Sequence, residues 1–297
     1  MFNQLSTIEQ IEQNVALAPF TTFKLGGVAR LFLRAKNKAQ VITALQMAQA
    51  EKIPVFILGG GSDILVSERG FPGLVIKMEL NQQRIINEQQ LYAEAGVPIN
   101  GAIRFCMQQG FSGLEYASGV PASIGGAIWA NLGCRGSDIS QVLHSVEVCD
   151  LAGNKKTFSN QACQFSYRAS RFKHERWVIL AATFNLQTKP VAELKQTVLT
   201  LTKLKSEQQD IGVACAGCAF RNPLTQTTKS AGQLIDELGL KGYQIGGAKI
   251  SEKHGNFILN TGTATVNDLV QLISYVKQQV RDKTGVQLME EVDYVGF

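Results

Sequence analysis

Ile53-Pro54-Val55-Phe56-Ile57-Leu58-Gly59-Gly60-Gly61-Ser62-Asp63 runs from an apolar segment of strand length straight into three consecutive glycines. Ile53 to Leu58 reads as a buried strand. Ahead of it, Lys38 to Lys52 places Val41, Ile42, Leu45 and Ala48 at three- and four-residue steps, the period of an amphipathic helix. Helix, strand and glycine loop therefore form one unit. Without side chains, the loop lets backbone N–H groups converge on one point, which suits a diphosphate; a plain tight turn is the alternative. No Gly-Lys-Ser/Thr follows, so this is not a Walker loop. Nor does a long helix open directly after it, as the dinucleotide fingerprint requires.

Working outward, Ile64-Leu65-Val66 leads to a turn expected at Gly70-Phe71-Pro72-Gly73. Leu74-Val75-Ile76 and Leu91 to Ala95 read as strands, and Ile99 to Gln109 as a helix ended by Gly110. Strands over 142–149 and 177–186 make this half mixed α+β. A boundary is expected near Thr188-Lys189-Pro190: Pro190 suits a first helical position, and Leu194, Val198, Leu201 and Leu204 then give the stripe of a connector helix. Beyond it come a helix at 231–238 closed by Gly239, strands at 248–251 and 256–260, and a helix at 268–283. The expected division is 1–78, 79–188 and 189–297.

The chain has 297 residues, 45% apolar and 18% charged, enough for about two domains with a large core. Its 28 glycines exceed the roughly 7% usual share and occur in tight groups. The net charge of +5 is scattered, with no block of like charges, which argues against nucleic acid as the main partner. Residues 1–23 hold Glu9 and Glu12, no basic residue and no apolar core, so no secretory signal is expected and the cytoplasm is the expected compartment. Cysteines 106, 134, 149, 163, 215 and 218 are too dispersed for a disulfide framework and are expected as thiols. The nineteen uncharged residues from Tyr116 to Cys134 are long enough to span a bilayer, but Gly119, Pro121, Gly125, Gly126 and Gly133 would make a poor helix. They read as a buried loop punctuated by glycine.

The centre of that stretch, Ser118-Gly119-Val120-Pro121-Ala122-Ser123-Ile124-Gly125-Gly126-Ala127, offers small residues and hydroxyls for close packing of a flat cofactor and its phosphates. A buried structural loop would look the same. Two such cradles some sixty residues apart favour a nucleotide cofactor. In Phe165-Ser166-Tyr167-Arg168 the arginine can grip a carboxylate through two nitrogens, although an arginine beside a tyrosine is commonly a surface stacking pair. Cys215-Ala216-Gly217-Cys218 lacks the second pair that zinc would need, and His144, His174 and His254 are isolated, so no metal is expected. Adjacent Glu290 and Glu291 in a strand would face opposite ways, one to a site and one to solvent, or form an edge-strand charge pair.

Taken in order, Thr21-Thr22-Phe23-Lys24-Leu25-Gly26-Gly27, Gly59–Asp63, Ser112-Gly113-Leu114-Glu115-Tyr116 with Ser118–Ala127 and Asn131, Tyr167-Arg168-Ala169-Ser170, Gly217–Pro223, Leu240-Lys241-Gly242, Ile245-Gly246-Gly247-Ala248 and Glu291-Val292 resemble the UDP-N-acetylenolpyruvoylglucosamine reductase family. The match covers nearly the whole chain. It implies an α+β fold: a two-lobed FAD-binding domain of the vanillyl-alcohol-oxidase (PCMH) type at 1–78 and 79–188, then a smaller α+β substrate domain within 189–297. It implies NADPH-dependent, FAD-mediated reduction of an enolpyruvyl ether to UDP-N-acetylmuramate, an early step of peptidoglycan synthesis. The fifty residues between Arg168 and Cys218 match the shorter subtype, which lacks an extra loop over the substrate. A monomer with a small-molecule substrate, no nucleic acid and no membrane is expected. A related flavin oxidase of another substrate and a non-catalytic, flavin-binding thiol sensor are the competing readings.

By the same resemblance, Gly59, Gly60, Gly61, Ser62, Asp63, Ser118, Gly119, Ser123, Gly125 and Gly126 hold the cofactor, and Arg221, Asn222, Lys241 and His254 hold the substrate. Arg168, beside Tyr167, matches the active-site arginine. Hydride delivered from flavin N5 to the terminal methylene leaves negative charge beside a carboxylate, which Arg168 would stabilise. Glu291, if protonated by burial, would donate a hydrogen bond to the same charge. The last proton comes from a residue that is usually serine in the family and here is Cys218, a stronger acid than a hydroxyl. Ala122, where glycine is frequent, and Glu290, where proline is frequent, are smaller departures.

Overall fold

The computed structural model describes residues 10–297. Residues 1–9, part of the first expected lobe and of the segment read for a signal sequence, lie outside the described residues. In chain order the first elements are β1 (Ile11–Ala16), β2 (Val28–Ala35), α1 (Lys38–Ala50), β3 (Val55–Leu58), β4 (Ile64–Val66) and β5 (Phe71–Met78). Then come β6 (Gln83–Ile86), β7 (Gln90–Glu94), α2 (Ile99–Gln108), β8 (Phe111–Ser112), α3 (Ile124–Trp129), β9 (Gly133–Cys134) and β10 (Ser137–Asp138). They are followed by β11 (Leu143–Cys149), β12 (Lys155–Ser159), β13 (Val178–Asn185), β14 (Gln187–Thr188) and α4 (Val191–Gln208). The last part holds β15 (Cys215–Cys218), α5 (Ala231–Glu237), β16 (Gln244–Ile245), β17 (Ala248–Ile250), β18 (Phe257–Asn260), α6 (Val266–Thr284) and β19 (Asp293–Val295).

Local chemistry explains the boundaries. Asn37 and Gln40 exchange side-chain-to-backbone bonds in a capping box that starts α1, whose Val41, Ala44, Leu45 and Ala48 are buried. Thr265 and Asp268 do the same for α6, and Gly285 ends it in the left-handed conformation at φ +75°. Gly110, at φ +76°, follows α2.

The described residues fall into two compact units. The first gathers residues up to Val15, Arg30–Gly60 and Pro72–Leu204. It contains a four-stranded sheet in the order β1-β2-β5-β3, with β3 parallel to β5 from Val55↔Leu74 to Leu58↔Lys77. Its second sheet, β12-β11-β13-β7-β6, is antiparallel. One core cluster, with Leu45, Ile76, Ile103, Val148 and Phe184, serves both sheets.

The second unit gathers Ala16–Ala29, Gly61–Phe71 and Lys205–Phe297. Its antiparallel sheet runs β15-β18-β17-β16, and β4 pairs in parallel with β19, Ile64 opposite Asp293. Phe23, Leu65, Ile258, Leu272 and Val276 share its core. The chain passes from one unit to the other inside the glycine loop, between Gly60 and Gly61.

Three expectations are corrected. The stretch Tyr116–Cys134 is not loop throughout: Ile124–Trp129 forms α3. Ser123 Oγ accepts from the Gly126 N–H at 3.3 Å, and Ile124, Ala127 and Ile128 are buried, which together outweigh the poor helix propensity of two glycines. The turn placed at 70–73 ends sooner, because β5 already begins at Phe71. Pro72 precedes the register with β3, which starts at Leu74, so its missing N–H removes no bond on that side. The connector helix starts at Val191, with the Pro190 carbonyl accepting from Leu194 at 3.1 Å, but only Leu194 of its stripe is buried and Leu204 is exposed. Among the described residues, no helix is long and apolar enough to cross a membrane.

Candidate active site

In the first unit, β3 delivers Gly59 and Gly60 against the loop that enters α3. A Cβ at Gly59 would stand 2.7 Å from Ser123 Oγ, and one at Gly60 would stand 3.2 Å from the Pro121 carbonyl. Only glycine fits at that approach. Beneath it, the Lys77 ammonium donates to the Gly59 carbonyl, and burial pushes the Lys77 pKa down.

The backbone donors of the two cradles differ. Gly119 N–H is engaged by Asn100 Oδ1 at 2.8 Å, Gly125 N–H by the Ala95 carbonyl at 2.9 Å and Gly126 N–H by Ser123 Oγ at 3.3 Å. Ser118 Oγ donates to the Glu115 carbonyl at 2.6 Å. By contrast, the N–H groups of Gly60 and Ser123 make no hydrogen bond among the described residues, and neither do those of Gly61 and Ser62, where the chain enters the second unit. In that unit the Gly61 carbonyl accepts from Thr22 N–H at 2.9 Å, and a Cβ at Gly61 would meet the Phe20 carbonyl at 2.0 Å. Within the first unit, the unengaged amides of Gly60 and Ser123 on bare backbone suit an anionic group such as a phosphate.

Arg168 and Tyr167 occupy the tip of a tight turn closed by paired bonds between Ser166 and Ala169, at 3.0 and 3.1 Å. The segment leaving α3 holds this turn. Asn131 Nδ2 donates to the Ser166 carbonyl at 2.9 Å, Ser170 Oγ to the Trp129 carbonyl at 2.7 Å, and Arg168 Nη1 to the Gly133 carbonyl at 2.8 Å. The Arg168 guanidinium lies 5.7 Å from the centre of the exposed Tyr167 ring, so the stacking contact is present together with the anchor. Arg168 adopts φ +55° and Asn131 φ +45°, left-handed conformations that cluster at functional sites.

In the second unit, Cys218 lies opposite Phe257 in the β15–β18 pair. The next residue, Ala219, donates to the Asn256 carbonyl at 2.8 Å and accepts from Glu291 N–H, also at 2.8 Å. Buried Glu291 and half-buried Cys218 are thus tied to neighbouring strands one residue apart. Two residues on, Asp293 N–H donates to the Asp63 carbonyl at 2.9 Å, bringing the end of the glycine loop beside the same segment. Glu290 accepts from Lys277 Nζ of α6 at 2.8 Å. Of the two expectations for this carboxylate pair, the charge pair is the one Glu290 makes.

The expected substrate residues have their own partners. Asn222 Oδ1 accepts from Ala231 N–H at the start of α5 at 3.0 Å. Lys241 is paired with Asp236 at 2.6 Å. His254 Nδ1 accepts from Asn256 N–H at 3.2 Å; burial, helped by nearby Lys241, pushes its pKa down and keeps the ring neutral. Arg221 Nε is buried without a hydrogen-bond partner among the described residues, an unmet donor suited to an anionic ligand. Asn256 and Lys77 escaped sequence reading. A single amide or lysine beside a strand carries no periodic signal, and their importance lies in pairings distant along the chain.

Residues 208–295 match the family described as UDP-N-acetylenolpyruvoylglucosamine reductase, C-terminal domain, and residues 29–159 match the FAD binding domain. The chain is 38% identical over 283 residues to a UDP-N-acetylenolpyruvoylglucosamine reductase of Caldanaerobacter subterraneus, covering 95% of this chain and 93% of the relative. It is 36% identical to that of Anoxybacillus flavithermus, with 98% and 96% covered. The crystal structure of UDP-N-acetylenolpyruvylglucosamine reductase (MurB) from Thermus caldophilus superposes with a TM-score of 0.80 at 30% identity over 96% of this chain and 99% of that one. A solvent-stable cholesterol oxidase shares the fold alone, with a TM-score of 0.50 at 16% identity over 63% of this chain and 39% of its own. The fold is therefore the expected α+β one, with an FAD-binding domain of the vanillyl-alcohol-oxidase type and a smaller C-terminal domain.

Proposed function

The chain belongs to the UDP-N-acetylenolpyruvoylglucosamine reductase family, and from that premise we propose that it reduces the enolpyruvyl ether of UDP-N-acetylglucosamine to UDP-N-acetylmuramate with electrons from NADPH. The observation that carries the reading is likeness from end to end: the FAD-binding and C-terminal family matches fall on one chain that aligns with reductases over 95% of its length. The chain is an FAD-dependent oxidoreductase of peptidoglycan precursor synthesis. We place the reaction in the cytoplasm and treat the enzyme as a monomer.

When bound, FAD would supply the two-electron chemistry that links NADPH to the substrate's double bond. The unengaged amides of Gly60 and Ser123 in the first unit are the groups we assign to the diphosphate, and those of Gly61 and Ser62 continue the same glycine loop. Gly119, Gly125 and Gly126, whose donors are engaged within the protein, would serve by close approach of bare backbone.

Negative charge develops next to the substrate carboxylate, and an ionised carboxylate accepts more charge poorly. The Arg168 guanidinium, held by the Gly133 carbonyl in a turn that fixes its backbone, stabilises that charge. Glu291, in its protonated carboxylic-acid form, donates a hydrogen bond to the same developing charge. Cys218 Sγ–H then gives its proton to the new stereocentre, and the thiolate regains one from solvent. Arg221, Asn222, Lys241 and His254 are assigned to the diphosphate of the UDP group.

Purified protein should be yellow. NADPH should bleach the flavin band, and the enolpyruvyl substrate should restore it. Protein that holds no flavin after reconstitution, or reduced flavin that oxygen reoxidises but the substrate does not, overturns the reading.

A further inference from the structure

The site as described uses one thiol of β15 and leaves the other, Cys215, without a role. In a regular strand, residues three apart point to opposite faces. Cys215 and Cys218 do not. Cys215 lies opposite Leu259 and Cys218 opposite Phe257, so three steps of β15 match two steps of β18, with the register shift between the cysteines. Gly217, at φ +83°, takes up the extra residue as a β-bulge. Ala216 and Ala219 join Ile258 in the core and Cys215 packs against it, while the register pairs both half-buried cysteines with Leu259 and Phe257, residues of one face of β18.

The bulge also sets the spacing. Two residues of a strand span about 6.6 Å, and the Cα atoms of a disulfide stand about 4.4–6.8 Å apart, so the paired register holds the two half-buried cysteines on one face at the upper end of that range, and closing the bond draws them together at the Gly217 bulge. Both are thiols here. We propose that Cys215 and Cys218 form a site of reversible oxidation by hydroperoxides, closing a disulfide that takes the thiol proton away from position 218.

The chemistry balances with the hydroperoxide as the oxidant. Cys218 thiolate attacks the outer peroxide oxygen; the O–O bond breaks, an alcohol or water leaves with a proton, and a sulfenic acid forms. Cys215 thiolate then attacks that sulfur; the S–S bond forms, the S–O bond breaks, and hydroxide leaves as water. Two thiols lose two electrons and two protons, and the hydroperoxide becomes an alcohol and a water. Burial pushes the Cys215 thiol up, which makes it slow toward peroxide. A dithiol reductant reverses the bond by exchange.

The catalytic consequence rests on Cys218 being the proton donor; the disulfide itself does not. The flavin-loaded protein is titrated with tert-butyl hydroperoxide, its remaining thiols are alkylated, and its peptides are weighed. The expected product is a 215–218 peptide lighter by about 2 Da, the loss of two hydrogens. Flavin reduction by NADPH should persist in this form while reoxidation by substrate is lost, and dithiothreitol should restore it. Cys215→Ser should keep basal turnover but lose reversibility, its Cys218 passing to sulfinic acid. Inactivation of the unaltered chain with Cys218 recovered as sulfinic acid and no cross-link overturns the site. A cross-linked chain that substrate still reoxidises at full rate overturns the consequence. If no flavin is bound, the functional reading fails, while the mass shift still decides the disulfide.

Discussion

Asn256 brackets Phe220: its amide oxygen accepts from the Phe220 N–H at 2.9 Å, and its amide nitrogen donates to the Phe220 carbonyl at 2.8 Å. Asn256 is buried, so one side chain stands in for a missing stretch of strand and fixes the segment between Cys218 and Arg221. Asn256→Ala leaves a buried donor and acceptor unmet, at about 1–3 kcal/mol each, and should lower stability by about 2–6 kcal/mol. Turnover should fall as well, because Ala219 pairs with the same residue's carbonyl. A denaturant midpoint equal to that of the unaltered chain would show the bracket to be dispensable.

Gly59→Ala tests the close approach on the cofactor side. The added methyl would sit 2.7 Å from Ser123 Oγ, and that clash should cost about 1–3 kcal/mol and loosen the flavin. Ser123→Ala removes the offending oxygen but also a helix cap, costing about 1 kcal/mol alone. Together the two changes should cost less than their sum, since Ser123 Cβ stands 3.9 Å from the new methyl. Strict additivity, in melts or in FAD release followed by fluorescence, would count against the contact.

Arg168→Lys keeps a charge but loses the planar fork and the Gly133 anchor. Reoxidation of reduced enzyme by substrate should slow about 10²–10³-fold, the range for losing one charge-stabilising group, while reduction by NADPH stays near normal. Rapid mixing separates the half-reactions. Equal slowing of both would move Arg168 out of the role proposed.

Where information was local, the sequence sufficed. The apolar period of Lys38–Lys52 and the glycines after 109 and 238 placed α1, α2 and α5 to within two residues, because spacing and caps act within a turn or two. α3 was missed because its support is distant: Gly125 sits where a Cβ would touch Ala95 at 3.0 Å, and no local pattern announces that neighbour. The pairing of β4 with β19 joins residues more than two hundred positions apart and carries Gly61–Phe71 into the same unit as the C-terminal part. For the proposed site, the ordered motifs point to Arg168, Cys218 and Glu291. The bulge at Gly217 and the Asn256 bracket needed coordinates, since each depends on which residue lies across a sheet.

His254 gives a pH dependence. Burial and Lys241 hold its pKa below the ordinary 6.5, so near and below that value the unfolded chain binds the proton more readily than the folded one. The stability that the neutral ring contributes is full above about pH 6.5 and is lost as pH falls toward the lowered value. His254→Gln should be less stable at pH 7.5, where the ring is neutral in both states, and should lose less on moving to pH 5.5. Urea midpoints at the two pH values measure this. An unaltered slope in the variant would assign the acid sensitivity to other groups.

Glu290 and Glu291 are neighbours of one chemistry in two environments, and the contrast predicts their variants. Glu290 shares a partly exposed ion pair with Lys277, so Glu290→Gln should change stability by less than about 1 kcal/mol, with turnover kept. Glu291 is buried, with its backbone N–H on the Ala219 carbonyl beside Cys218. Glu291→Gln preserves shape but replaces a carboxylic-acid O–H with a much weaker amide N–H donor to the developing charge, and should slow the substrate half-reaction by about 10²-fold with stability nearly unchanged. The two half-reactions, measured on both variants alongside denaturant midpoints, give a crossed design. A large kinetic loss in Glu290→Gln with a silent Glu291→Gln would exchange the two roles, and parallel losses of stability in both would reduce the pair to structure.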